Sequence, residues 1–268
     1  MANIPGIPRL VGVIHLPPLP GSVLGGDASS FPALLDHALR DAGAWAEGGA
    51  DALIIENFGD IPFRRDRVEQ HTIAAMALAV SALKAETGLP IGVNVLRNDV
   101  LSAIAIAAIA GGSFVRANVY AGAAVTDQGI IEGNAVEAQL LIKRLGAPVT
   151  VWADIEVKHA APLAPRPLAE MAEDVVLRGL AGAIILTGSG TGKPTNPEDI
   201  ATAKRAVPST PVYVGSGANI DTIPAIFTHA DGAIIGTAAK IDGDVRNPVD
   251  LNRVKALRAA IDSALGKS

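Results

Sequence analysis

The chain has 268 residues, of which 49% are hydrophobic, 18% charged and only 3% aromatic, with a formal charge of -5 and no cysteine. The acidic balance excludes nucleic acid as the main partner, because phosphate backbones select basic faces. The lack of cysteine excludes disulfides, thiolate metal sites and cysteine nucleophiles, and it fits a cytoplasmic location. Met1 to Pro8 show no charged stretch followed by an apolar run, so no leader is expected. The most apolar stretch, Val100 to Val115, is broken by Ser102, Gly111, Gly112 and Ser113. It falls short of the roughly 20 residues a bilayer requires and reads as a buried helix feeding a strand, with no membrane insertion.

Along the chain a short β-branched run repeatedly precedes an Ala/Leu-rich amphipathic segment. The predicted strands are Leu10–Leu16, Ala52–Phe58, Pro90–Leu96, Phe114–Val119, Val149–Val157, Ala183–Thr187, Pro211–Gly215 and Gly232–Ile235. The predicted helices are Ala33–Glu47, His71–Glu86, Asp99–Ala110, Ala135–Leu145, Leu168–Arg178, Pro197–Ala206, Ile220–Thr228 and Pro248–Leu265. Glycines at 48–49, 88, 111–112, 146 and 179 follow helical runs, where a left-handed turn favours them. Near-even βα units across residues 1–268 point to one α/β domain, a single (β/α)8 TIM barrel. A doubly wound open sheet is the rival, but no reversal point is visible. The αβ turns are short and bland. The βα connections, such as Pro17–Pro32, Gly59–Gln70, Tyr120–Asn134 and Gly188–Asn196, are long and polar, which places the unusual residues on the face where barrels build their sites.

The fifth predicted strand alternates, so Asp154, Glu156 and Lys158 share a face, with His159 next. Three charges there suit the barrel axis. Two carboxylates beside a lysine suit acid/base or Schiff-base chemistry, and a structural ion pair plugging the barrel is the alternative. Arg116 and Asn118 share a face on the fourth strand, and a buried arginine needs an anion, either a barrel carboxylate or a ligand. Asn94, Glu56 and Asn57 add polar groups at the same level, and His15 ends the first strand at the mouth.

The run Thr187-Gly188-Ser189-Gly190-Thr191-Gly192-Lys193-Pro194 fails the Walker pattern at its first and last positions. Gly215-Ser216-Gly217 and Gly236-Thr237 follow the last two strands, where barrel phosphate sites form, and a helix N-terminus would support them. No zinc pattern such as HExxH or HxH occurs, and no Gly-x-Ser-x-Gly elbow. An oxygen-rich Mg²⁺ site from Glu56, Asp154 or Glu156 stays open without a specific signal, and no cofactor is evident. His37, His71 and His229 read as solvated.

Several blocks resemble the BtpA/SgcQ family: residues 13–21 (VIHLPPLPG), Glu56-Asn57-Phe58, residues 92–99 (GVNVLRND), residues 126–133 (TDQGIIEG), Ala153-Asp154 with residues 157–160, and Gly215-Ser216-Gly217. The match spans nearly the whole chain. The resemblance implies a barrel similar to the ribulose-phosphate-binding and related phosphate-binding barrels. The family takes its name from a role in accumulating photosystem I, and relatives also occur in sugar-operon settings. Glu156 is outside the shared pattern, and the Asp127-Gln128-Gly129 block is either a lid or a surface turn. Two functional classes follow. One is an enzyme acting on a phosphorylated small molecule, a phosphosugar or a nucleotide-like compound, by lyase, isomerase or glycosyl-transfer chemistry. The other is a non-catalytic biogenesis or regulatory factor for a membrane complex.

The expected site then comprises Asp154, Lys158, His159, His15 and Glu56 as catalytic residues. Asn94, Arg97, Arg116, Asn118, Asp127 and Ser189 would bind substrate, and Gly215, Ser216, Gly217, Gly236 and Thr237 would bind phosphate. The Ala-rich helical layer and high apolar content lead to an expected homo-oligomer, and no unexplained apolar surface stripe is visible.

Overall fold

A computed structural model describes residues 6–155, 160–188 and 195–266. The barrel strands are β1 (Leu10–His15), β2 (Ala52–Glu56), β3 (Ile91–Asn94), β4 (Phe114–Ala117), β7 (Thr150–Asp154), β9 (Ala183–Leu186), β10 (Val212–Val214) and β11 (Gly232–Ile235). They are parallel and close in the order β1-β11-β10-β9-β7-β4-β3-β2. The helices are α1 (Phe31–Glu47), α2 (Gln70–Thr87), α3 (Val100–Ala110), α4 (Ala135–Leu145), α5 (Leu168–Glu173), α6 (Pro197–Ala206), α7 (Ile223–Ile226) and α8 (Leu251–Ala264). Closure rules out the open sheet.

Two helices depart from their sequence pattern. The segment expected as Leu168–Arg178 starts as α5 and then widens to a π turn over Asp174–Arg178, with Gly179 N–H donating to Asp174 O at 2.9 Å. Its left-handed residue is Leu180, not Gly179. The ring of Tyr120 packs where a Gly179 side chain would stand. Expected helix Ile220–Thr228 shrinks to the four residues of α7, because the Asn219 side chain accepts from Asp221 and Thr222 N–H and holds a turn.

The long fourth βα connection is also structured. β5 (Ala123–Thr126) and β6 (Gly129–Glu132) form a hairpin, and β5 pairs on its other edge with β8 (Ala160–Pro162). The Asp127-Gln128 pair is its tip, and Gly129 has φ +99, as a tight hairpin requires.

Strand parity divides the barrel interior into two layers. The lower layer is apolar: Val11, Val13, Ala52, Ile54, Phe114, Trp152, Ala183, Ile185, Tyr213 and Ile234. Phe114 stacks on Trp152 at 3.9 Å and Trp152 on Tyr213 at 4.2 Å, so three rings close the axis. Two residues further along each strand the same face reaches the mouth. There it presents His15, Glu56, Asn94, Arg116, Asp154 and Gly215. Outside, the helices cover the other strand face through a continuous core that includes Trp45, Met76, Leu83 and Ile104.

The outer surface corrects one expectation. Leu78 on α2, Ile109 on α3, and Val136 and Leu140 on α4 are exposed, and these helices are neighbours. α3 is apolar nearly all round, and on α2 the apolar residues are spread over both faces, so periodicity alone could not separate their inner from their outer face. Among the described residues, no helix is long and apolar enough to cross a membrane.

Candidate active site at the barrel mouth

Register brings the upper layer together. His15 pairs with Glu56, and Glu56 with Asn94, across β1, β2 and β3. Asn94 Nδ2 donates to Glu56 Oε1 at 2.9 Å. Arg116 rises from β4 into the axis and donates from Nε and Nη2 to Asp154 Oδ2 and Oδ1, at 2.9 and 3.0 Å. Its Nη1 lies 3.4 Å from Glu56 Oε1. Asn118 Nδ2 donates to Asp154 Oδ2 at 2.9 Å. Of the two answers open for the buried arginine's anion, the structure shows the barrel carboxylates.

The two carboxylates differ in what they have left to offer. Asp154 accepts three hydrogen bonds, and its side chain is fully buried. Burial pushes its carboxyl above the ordinary range, against the pull of Arg116 and Asn118. Burial also works to lower Arg116, but Asp154 and Glu56 outweigh it and hold the guanidinium above its usual value. A guanidinium keeps its proton, and the fork geometry is that of an ionic pair. Asp154 therefore fixes Arg116 and Asn118 in place. Glu56 takes both of its bonds on Oε1, and among the described residues its Oε2 has no protein partner.

His15 stands at the seam between β1 and β11. A side chain on Gly236 would meet His15 Cε1 at 2.5 Å, so this glycine is what lets the imidazole occupy the mouth. Phe58 meets the ring edge-on at 4.8 Å. Burial lowers the His15 pKa to about 4, opposed by Glu56 and assisted by Lys240. Among the described residues its buried Nδ1 has no hydrogen-bond partner. At neutral pH such a ring is uncharged and acts as a hydrogen-bond donor more readily than as a base.

Gly215 has a matching part on the other side. A side chain there would stand 3.3 Å from Arg116 Nη2, so the guanidinium reaches beneath the loop after β10. Ser216 Oγ accepts from Gly188 N–H at 3.3 Å, tying this loop to the one before it. Gly236 and Thr237 follow β11, the neighbouring strand. The helical support expected for these loops is small, since α7 has four residues and the turn at Thr237–Ala239 three.

The remaining expected residues scatter. Arg97 is buried, its pKa lowered by burial and raised by Asp154 and Asp127, so it shares the field of the upper layer. Asp127 is exposed on the hairpin tip and accepts from Gln128 Nε2 at 2.6 Å. Lys158, His159, Ser189 and Glu156 lie outside the described residues. Among the described residues, no cluster of three or more acidic or histidine groups that could hold a metal is found.

One buried pair escaped sequence reasoning. Lys240 Nζ donates to Asp41 Oδ2 at 2.5 Å, with both side chains essentially unexposed. Asp41 Oδ1 accepts from Val249 N–H at 2.8 Å, and His37 lies 3.7 Å from Oδ2. The signal was there: Asp41 sits among Leu34, Ala38, Ala42 and Trp45 on the buried face of α1. Nor is His37 simply solvated, being half-buried beside Asp41.

A family model described as the BtpA family matches residues 8–263. This chain belongs to the BtpA family. A relative from Thermococcus kodakarensis, an uncharacterized protein, is 45% identical over 92% of this chain and 93% of its own length. The photosystem I biogenesis protein BtpA of Synechocystis is 42% identical over 96% of this chain and 88% of its own. Among solved structures, thiamine phosphate pyrophosphorylase from Pyrococcus furiosus superposes with a TM-score of 0.59 at 15% identity, covering 98% of this chain and 100% of the other. At that identity the likeness is one of fold, and it agrees with the closed barrel of this BtpA-family member.

Proposed function

We propose that the chain is an enzyme acting on a phosphorylated small molecule at the barrel mouth, with the phosphate held by Ser216, Gly217 and Gly236-Thr237, while Gly215, whose N–H donates to Leu186 O at 2.8 Å, anchors the turn to the barrel. The observation that carries this reading is that the glycine turns at 215–217 and 236–237 follow β10 and β11, two neighbouring strands, with the Asp154-paired Arg116 close beneath Gly215. The barrel with a phosphate in its name, similar in fold, supports the same reading. In it, Glu56 Oε2 carries the proton, His15 donates to a substrate oxygen, and Asp154 sets Arg116 and Asn118, with Asn94 steadying Glu56.

The test is thermal stabilisation by inorganic phosphate and ribose 5-phosphate. A ligand at a hundred times its Kd adds about 2.7 kcal/mol. The double variant Ser216→Ala, Thr237→Val should weaken that stabilisation. No shift with either probe at tens of millimolar, or an unchanged shift in the double variant, refutes the phosphate site.

A docking role at a membrane complex is the second reading, suggested by the Synechocystis relative's name. Exposed Val23, Leu24, Phe58, Ile61, Val125 and Ile130 on the mouth loops favour it.

A further inference from the structure

Beside the upper layer a cavity of about 610 Å³ opens between the small three-stranded sheet and α5. That volume lies within the roughly 300–1,000 Å³ range of small-molecule sites and is generous for a short sugar phosphate. Its lining is unlike the ionic layer it adjoins. From β5 and β8 come Ala124, Ala160, Ala161 and Pro162, and from the α5 region come Met171 and Val175. An antiparallel pair carrying small side chains gives a flat, weakly polar wall.

At the inner end stand Asn118 and Asp154. Asn118 spends its Nδ2 on Asp154, while its Oδ1 is buried with no partner among the described residues. A buried acceptor left unpaired costs stability and calls for a donor. The Asp154 charge is already met by Arg116, so a cationic donor gains little here. A neutral donor, N–H or O–H, is the complement that remains, and the flat small-residue walls from β5 and β8 suit a planar ring carrying an N–H.

Resting on the phosphate reading above, we infer that this cavity receives a neutral planar ring bearing an N–H donor, a nucleobase or a heterocycle of that kind. The substrate class is then a base-bearing phosphate ester rather than a bare sugar phosphate. The ring's N–H donates to Asn118 Oδ1, and the rim pair of Arg166 with Asp174 borders the opening.

Calorimetric titration of the whole chain separates the claims. The probes are the adenosine, guanosine, cytidine and uridine 5′-monophosphates, their parent nucleosides, and ribose 5-phosphate. At least one monophosphate should bind tenfold or more tightly than ribose 5-phosphate. Ala161 lines the cavity yet is exposed, so Ala161→Trp fills the space at little risk to folding. It should bring the favoured monophosphate down to the level of ribose 5-phosphate and leave ribose 5-phosphate unchanged. Should that variant fold poorly, Ala164→Trp, also exposed and lining the cavity, serves instead. Equal binding of ribose 5-phosphate and every monophosphate overturns the inference while sparing the phosphate site. An Ala161→Trp variant that keeps the full preference overturns it too, as does no binding of any base-bearing probe. Nucleosides that bind as well as their monophosphates, with the preference lost in Ala161→Trp, uphold the cavity assignment and sink the phosphate site alone.

Discussion

Replacing Lys240 by Met removes a buried cation and leaves Asp41 as a carboxylate with a side chain only 1% exposed. Methionine fills most of the lysine stem's volume, so the cost is electrostatic rather than a cavity. Breaking one partner of a buried pair costs about 3–5 kcal/mol. With an unfolding entropy of about 2.1 cal/mol/K per residue, a chain of 268 residues loses roughly 5–9 °C in melting temperature. Melting curves of parent and variant at pH 7 measure the difference directly. Adding Asp41→Asn should restore most of the loss, because Asn keeps an acceptor for Val249 N–H. A Lys240→Met deficit below about 1 °C, or one that Asp41→Asn leaves in place, would refute the reasoning.

Other outcomes follow from the same geometry. His15, with its folded pKa near 4 against an ordinary 6.5, contributes stability that is full above pH 6.5 and lost as pH falls towards 4. The loss is at most about 3 kcal/mol, less for the ring's partial exposure. His15→Gln should flatten urea midpoints between pH 4.5 and 7; an unchanged slope would count against a buried neutral ring. Glu56→Gln should lower turnover of an identified phosphate ester by about a hundredfold or more while leaving the fold intact, and full activity would remove Glu56 from the chemistry. Asp154→Asn should instead cost stability, about 3 kcal/mol, because it leaves Arg116 short of a counter-charge. A variant that melts like the parent would show that Asp154 does not anchor the arginine.

The barrel was legible because its strands are buried on both faces and its helices are punctuated, so period and turn chemistry coincide. Strand parity was enough to set Arg116, Asn118 and Asp154 on the axial face, and to place His15, Glu56 and Asn94 at one level. Parity says nothing of reach, however. It could not tell that Arg116 spans the axis from β4 to beneath Gly215, nor that the guanidinium would engage both carboxylates. The hairpin at Thr126 to Gly129 was hidden by its brevity, since four-residue strands give little alternation to read. Its turn residues were the available clue. The Lys240–Asp41 pair joins positions 199 residues apart, and only the misplaced acid on the apolar face of α1 hinted at it.

The chain has two tryptophans, and the barrel gives them different surroundings. Trp45 lies outside the strands, its indole N–H donating to Val13 O at 3.3 Å. Trp152 is clasped between Phe114 and Tyr213, two residues before Asp154 on the same strand. Its emission therefore arises directly below the ionic layer, where a charge placed at the mouth shifts the energy of the excited indole. In a Trp45→Phe background that single fluorophore becomes a built-in optical gauge of mouth occupancy, requiring no label and no knowledge of the reaction.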